Sequence, residues 1–229
     1  MTTSSIKISL FSLLFFPFLY CFAQEDAIVF WQPQVAINYN VYKDYSHNFT
    51  LANRNFLVQN EDLDLSIQQI DLVHFSNLKI TDNKSISLGL MWRNSNLFDN
   101  GQVDEFRITE QFNIRNSPHS VRYGHRFRAE QRISSVLTIY RFRYRFAIDF
   151  PLEGKTLDIG ESYMLWSVEN LASFSNSIKP FYDLRLRGGI GWRLSQRSNL
   201  QISLEYRMVD YTRVVLDVFL LETTLNLGL

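Results

Sequence analysis

Cysteine is nearly absent: Cys21 is the only one in 229 residues. Disulfides are therefore excluded within the chain, as are iron–sulfur clusters built on several thiolates. Glycine (9) and proline (5) are scarce, which excludes a loop-rich or low-complexity chain. The formal net charge is zero, so nothing points to nucleic acid or to a charged disordered tail. Histidine is limited to His47, His74, His119 and His125, and their scatter makes no metal-ligand spacing. No cofactor motif stands out. Gly188-Gly189-Ile190-Gly191 lies inside a strand pattern, where glycine marks a bend or close packing and not a phosphate loop. Beyond the first residues, no stretch reaches the roughly 18 apolar residues that a membrane helix needs.

What is abundant is aromatic, apolar and arginine. Aromatic residues make up 15% and hydrophobic residues 46%; of the 23 basic residues, 17 are Arg and 6 are Lys. Residues 1–23 read as a secretory signal peptide. Lys7 supplies the positive start, Ile8 to Phe22 the apolar run, and Cys21-Phe22-Ala23 the small residues before a cut ahead of Gln24. A rival reading makes Cys21 a lipidation site, but the bulky Tyr20 before it does not fit one.

From Gln24 onward the chain alternates with period two. Val29, Trp31, Val35, Ile37, Tyr39 and Val41 oppose Gln32, Gln34, Ala36, Asn38 and Asn40. The same alternation runs through Ser85–Trp92, Val136–Ile148, Tyr182–Leu194 and Leu200–Met208. Less regular strands are expected near Asn48–Gln59, Leu63–Lys79, Phe106–Arg115, Val121–Arg132 and Ile159–Leu171. A last one sets Phe219, Leu221, Leu225, Leu227 and Leu229 against Glu222, Thr224, Asn226 and Gly228. A soluble sandwich also alternates. Here, however, the strands are long enough to cross a bilayer at a tilt, which takes about 9–11 residues. The polar face is dense with Arg, and aromatics gather near strand ends as in an interfacial girdle. In lipid the sheet must close. The expectation is an all-β fold: a single closed antiparallel transmembrane β-barrel over residues 24–229, in the outer membrane of a Gram-negative bacterium. Eleven candidate strands are countable, and single-chain bacterial barrels carry even numbers. Ten or twelve are therefore expected, with twelve favoured. The final strand looks like the signal read by the barrel-assembly machinery, although Leu229 stands where Phe is usual.

The chemistry on the page is a charged inner face. Arg126, Arg128, Glu130 and Arg132 share one face of one strand, and Arg141, Arg143 and Arg145 share a face of the next. Arg185, Arg187 and Arg193, then Glu205 and Arg207, repeat the pattern, with Glu169 expected in the same lumen. Arginine forks bind carboxylate and phosphate bidentately, so one reading is a narrow channel for small anionic solutes. The other is an occluded structural or interaction barrel filled by Arg–Glu pairs. A barrel of this size allows either. On the outer face, Leu204 and Tyr144 should meet lipid, while their neighbours Glu205 and Arg143 should tolerate polar replacement better than they do. No catalytic residue is assigned. His47 and His119 sit at turns, His125 points outward with Tyr123 and Phe127, and His74 lies near Asp71 without a helpful serine. An outer-membrane hydrolase is the third and weakest reading.

The segments Phe127-Arg128-Ala129-Glu130-Gln131-Arg132, Tyr140-Arg141-Phe142-Arg143-Tyr144-Arg145, Glu169 and Leu184-Arg185-Leu186-Arg187-Gly188-Gly189 resemble the domain-of-unknown-function 2490 family of secreted bacterial proteins. The resemblance implies an outer-membrane-type barrel over essentially the whole mature chain, with no established activity. Lipid, the assembly machinery and small anions are the partners this reading expects.

Overall fold

The computed structural model describes residues 28–59, 62–63, 65–95, 103–118, 120–213 and 215–229. The expected signal peptide, Cys21 and His119 lie outside them. The described strands are β1 (Ile28–Tyr42), β2 (Tyr45–Gln59), β3 (Asp62–Leu63), β4 (Ile67–Thr81), β5 (Lys84–Ser95), β6 (Glu105–Asn116), β7 (Arg122–Ser134), β8 (Thr138–Pro151), β9 (Ser162–Phe174), β10 (Phe181–Arg193), β11 (Ser198–Val209) and β12 (Leu216–Gly228). All but β3 form the wall, each pairing antiparallel with its neighbour in sequence. The two-residue β3 pairs only with the end of β2.

The ring closes through β1 and β12, which run parallel, from Ile28 opposite Val218 to Asn38 opposite Gly228. Parity forces this. Strands that alternate in direction around a ring return antiparallel only when their number is even. The described residues supply eleven wall strands, so the first and last must run the same way. The expectation of ten or twelve strands rested on evenness, and the seam removes that condition. The Leu229 amide extends the seam by donating to the Asn38 carbonyl at 2.9 Å.

Wall strands run from 12 residues in β5 to 15 in β1, long enough to cross a bilayer at a tilt. Their burial is inverted relative to a soluble protein. Facing outward, Leu88 is 53% exposed and Phe142 57%; facing inward, Glu205 is 4% exposed and Asp183 3%. A surface of apolar side chains around a charged interior suits lipid outside.

Most strand limits fall within a few residues of the alternation pattern. The largest offset is β4, expected from Leu63 and formed from Ile67; β9, expected from Ile159, forms from Ser162. Gly154 and Gly160, at φ of +61° and +89°, turn the chain before the strand can start. Leu63 itself falls in β3, and the pairing of β2 with β4 shifts register between Arg54 and Asn55. The glycines of β10 mark close approach, as expected: a Cβ on Gly191 would stand 2.2 Å from the Tyr163 ring, and one on Gly188 2.4 Å from Trp166.

Candidate functional site: the charged lumen

Strand register decides which charges meet. Within β7 and β8, Arg126 faces Arg145, Arg128 faces Arg143 and Glu130 faces Arg141. Two of these three direct pairs are like-charged, which a sheet tolerates only if the side chains find partners elsewhere. They do so diagonally. Arg143 donates from Nη1 to Glu130 at 2.8 Å and from Nη2 to Glu169 on β9 at 2.6 Å. Arg128 holds Gln111 of β6 through Nε (3.0 Å) and Nη2 (2.6 Å), and its guanidinium lies 5.4 Å from the centre of the Phe75 ring.

A second knot lies on β10–β12. Arg187 donates to Glu205 at 2.5 Å and to Glu222 at 2.8 Å, while Arg207 holds the other oxygen of Glu205 at 2.5 Å. A third spans β4–β7. Arg93 forks onto Asp71 with both bonds at 2.7 Å, and Glu105 takes Arg132 at 2.7 Å as well as Arg107. Arg141 donates to Ser173 at 2.8 Å and approaches Asp183 to 3.9 Å. Arg185 stands 3.9 Å from Glu169. Ion pairs this sheltered are held by hydrogen-bond geometry as much as by charge, because stripping water from both ions offsets much of their attraction.

Of the charged residues expected in the lumen, Glu130, Arg141, Glu169 and Glu205 are buried within the barrel. Arg193 turns to the rim, where it donates to the Leu157 carbonyl. The sequence reading missed Arg54, Asp71, Arg93, Glu105, Arg107, Asp183 and Glu222 as members. Asp183 and Glu222 were legible from their alternation with Arg185 and Thr224. Arg93 lies one residue past the end assigned to its strand, and Arg54 was legible from its alternation with Thr50 and Ala52, since the register shift falls after it. Glu205 and Arg143, expected to tolerate polar replacement better than Leu204 and Tyr144, are each the hub of two ion pairs.

The knots do not use every arginine. Arg126 donates from Nε to the Asn113 carbonyl oxygen at 2.9 Å, and among the described residues neither Arg126 nor Arg145 has an ion-pair partner. Both line a cavity of about 910 Å³ at the end of the barrel that holds the β6–β7 and β10–β11 turns. At the seam the lumen is instead apolar, with Phe30, Val218 and Leu220 buried together and Arg54 stacked over Phe30 at 5.5 Å.

The histidines need one correction. His47 belongs to β2 and not to a turn, and its Nδ1 lies 2.9 Å from His74 Nε2 and 3.3 Å from Ser76 Oγ. His74 thus has a serine nearby, on the outer face. Both contacts fall on one nitrogen of His47, and Asp71, on the opposite face of β4, is taken by Arg93. A general base needs its second nitrogen oriented, and here no carboxylate does so among the described residues. His125 points outward as expected and meets Tyr144 Oη at 2.9 Å.

An apolar exterior around an arginine-rich interior defines a membrane-type β-barrel with a charged lumen. The chain belongs to the family described as "Protein of unknown function (DUF2490)", whose profile matches residues 30–214. No curated protein matches the chain significantly in sequence. Among solved structures it is similar to OmpT, an outer membrane protein of Vibrio cholerae in its trimer form. That match has 8% identity and a TM-score of 0.42, over 72% of this chain and 54% of that one. It is also similar to an anion-selective porin from Comamonas acidovorans, at 12% identity and a TM-score of 0.39, over 81% of this chain and 54% of that one. The chain therefore spans about half the length of these two proteins.

Proposed function

We propose that this chain is an outer-membrane barrel of a Gram-negative cell and works as a narrow, anion-preferring channel. The observation that carries the reading is the pair Arg126 and Arg145, which face the cavity with no ion pair among the described residues, while the carboxylates that line it are held by other arginines, Asp149 by Arg122 and Glu222 by Arg187. Arginine keeps its charge at any physiological pH, so the field at this point is permanent. The ion-pair knots narrow the passage beyond the cavity. Outer-membrane lipid covers the apolar wall, and β12 is the segment offered to the assembly machinery.

Single-channel recording in planar bilayers tests this. The expected result is a small conductance whose reversal potential in a salt gradient reports anion preference, lost when Arg126 and Arg145 are both changed to Gln. Cation preference in the native barrel overturns the reading. A second reading, an occluded structural barrel, is favoured by the Phe30–Val218–Leu220 cluster inside the seam. Absence of any conductance from correctly folded protein would establish it in place of the first.

A further inference from the structure

We infer that the cavity holding Arg126 and Arg145 is a binding site for a small polyhydroxylated organic anion, with the charged group on the two arginines and the hydroxyls on the walls. The inference rests on the anion-preferring reading and adds a ligand class to it.

The arginines come first. They stand directly opposite each other on β7 and β8, a like-charged arrangement that is unfavourable by itself. Elsewhere in this lumen such opposition is relieved by a diagonal carboxylate, as Glu130 does for Arg143. Here no carboxylate closes: Glu169, directly opposite Arg145 on β9, is held by Arg143, and Asp149 and Glu222 on the cavity wall are held by Arg122 and Arg187. Asn113 takes only Nε of Arg126, which leaves its terminal nitrogens available, and no hydrogen bond from the Arg145 guanidinium forms among the described residues. Two forks side by side suit an oxyanion, which accepts from both at once.

The walls come second. At about 910 Å³ the cavity is far larger than an inorganic ion needs and lies within the range of small-molecule sites. Its sides carry amides and hydroxyls: Gln34, Asn48, Asn199, Thr224 and Asn226. Amides both donate and accept, so they match sugar hydroxyls. Few apolar side chains join them, which disfavours a fatty or aromatic acid. Third, the adjoining mouth carries Lys155, Arg193 and Arg197, and a positive rim raises the local concentration of anions.

The test uses the folded full barrel in detergent micelles and titration calorimetry with glucose 6-phosphate, inorganic phosphate and neutral glucose. Glucose 6-phosphate should bind about tenfold or more tightly than inorganic phosphate, because wall contacts add to the charged ones. Glucose should not bind measurably. Arg126→Gln with Arg145→Gln should weaken both phosphates by about tenfold or more. Asn48→Ala with Asn226→Ala should weaken glucose 6-phosphate alone. If the double arginine variant does not fold, Arg145→Lys keeps the charge and loses the fork, and several-fold weaker binding is expected. The inference is overturned if glucose 6-phosphate and phosphate bind equally, if neither binds, or if the arginine variants bind like the native chain. An anion-selective conductance together with no binding sinks the site and leaves the channel; binding without conductance does the reverse.

Discussion

Arg143 sits diagonally from Glu130 across the β7–β8 ladder, and its Nη1 reaches the Glu130 carboxylate at 2.8 Å although the residue directly opposite is Arg128. The same guanidinium closes on Glu169 at 2.6 Å. One side chain thus satisfies two sheltered carboxylates on two strands.

Arg143→Gln should therefore lower stability sharply. Removing it leaves Glu130 and Glu169 with weaker partners, and breaking a buried pair from one side costs about 3–5 kcal/mol. Arg128 and Arg185 remain near these carboxylates, so the lower part of that range is expected. Urea unfolding of the refolded barrel measures it. A midpoint unchanged from the native chain would mean the lumen is wet enough to solvate both carboxylates.

Arg145→Gln should behave differently. This arginine has no ion-pair partner among the described residues, and Glu169, directly opposite it on β9, is held by Arg143, so its loss removes charge without orphaning a carboxylate. The reversal potential should move toward cations while the urea midpoint stays within about 1 kcal/mol of native, because Glu169 keeps its Arg143 partner. A large loss of stability with unaltered selectivity would place Arg145 in the structural network instead.

On the outer face, Leu204→Arg and Tyr144→Arg should impair membrane folding by about 2–4 kcal/mol, the penalty for arginine near the bilayer midplane of a barrel. Arg145→Gln is the inward-facing control. Folding yield into lipid vesicles, read from heat-dependent electrophoretic mobility, separates the two classes. Equal yields would mean that the faces are reversed.

The parallel seam predicts a specific cross-link. Gln34 and Thr224 are register partners on β1 and β12, and their side chains meet at 2.5 Å. With Cys21 replaced by Ser, Gln34→Cys and Thr224→Cys should form a disulfide on mild oxidation, since paired strands place residues within disulfide reach. Gln34→Cys with Gly228→Cys lies out of register and should remain reduced. The opposite pattern would reject the closure.

Alternation along each strand determined most of the fold. Its period is a local property, because successive side chains leave a strand on opposite faces. Residues such as Leu88 and Glu130 therefore declare their faces without reference to any other strand. Arginine at every second position likewise marked β7, β8 and β10 as lumen-lining. The tertiary structure decided three things. Closure is one: the parity of a ring depends on all its strands together, and neither β1 nor β12 carries a mark of running parallel. The bulge after Arg54 is another, since a single inserted residue reverses faces from Asn55 onward. The last is which charges are satisfied. Arg143 and Arg145 are two residues apart on the same face and alike by every sequence measure. One reaches Glu130 and Glu169, and the other opens onto the cavity, because diagonal reach across strands depends on register, and register belongs to the assembled sheet.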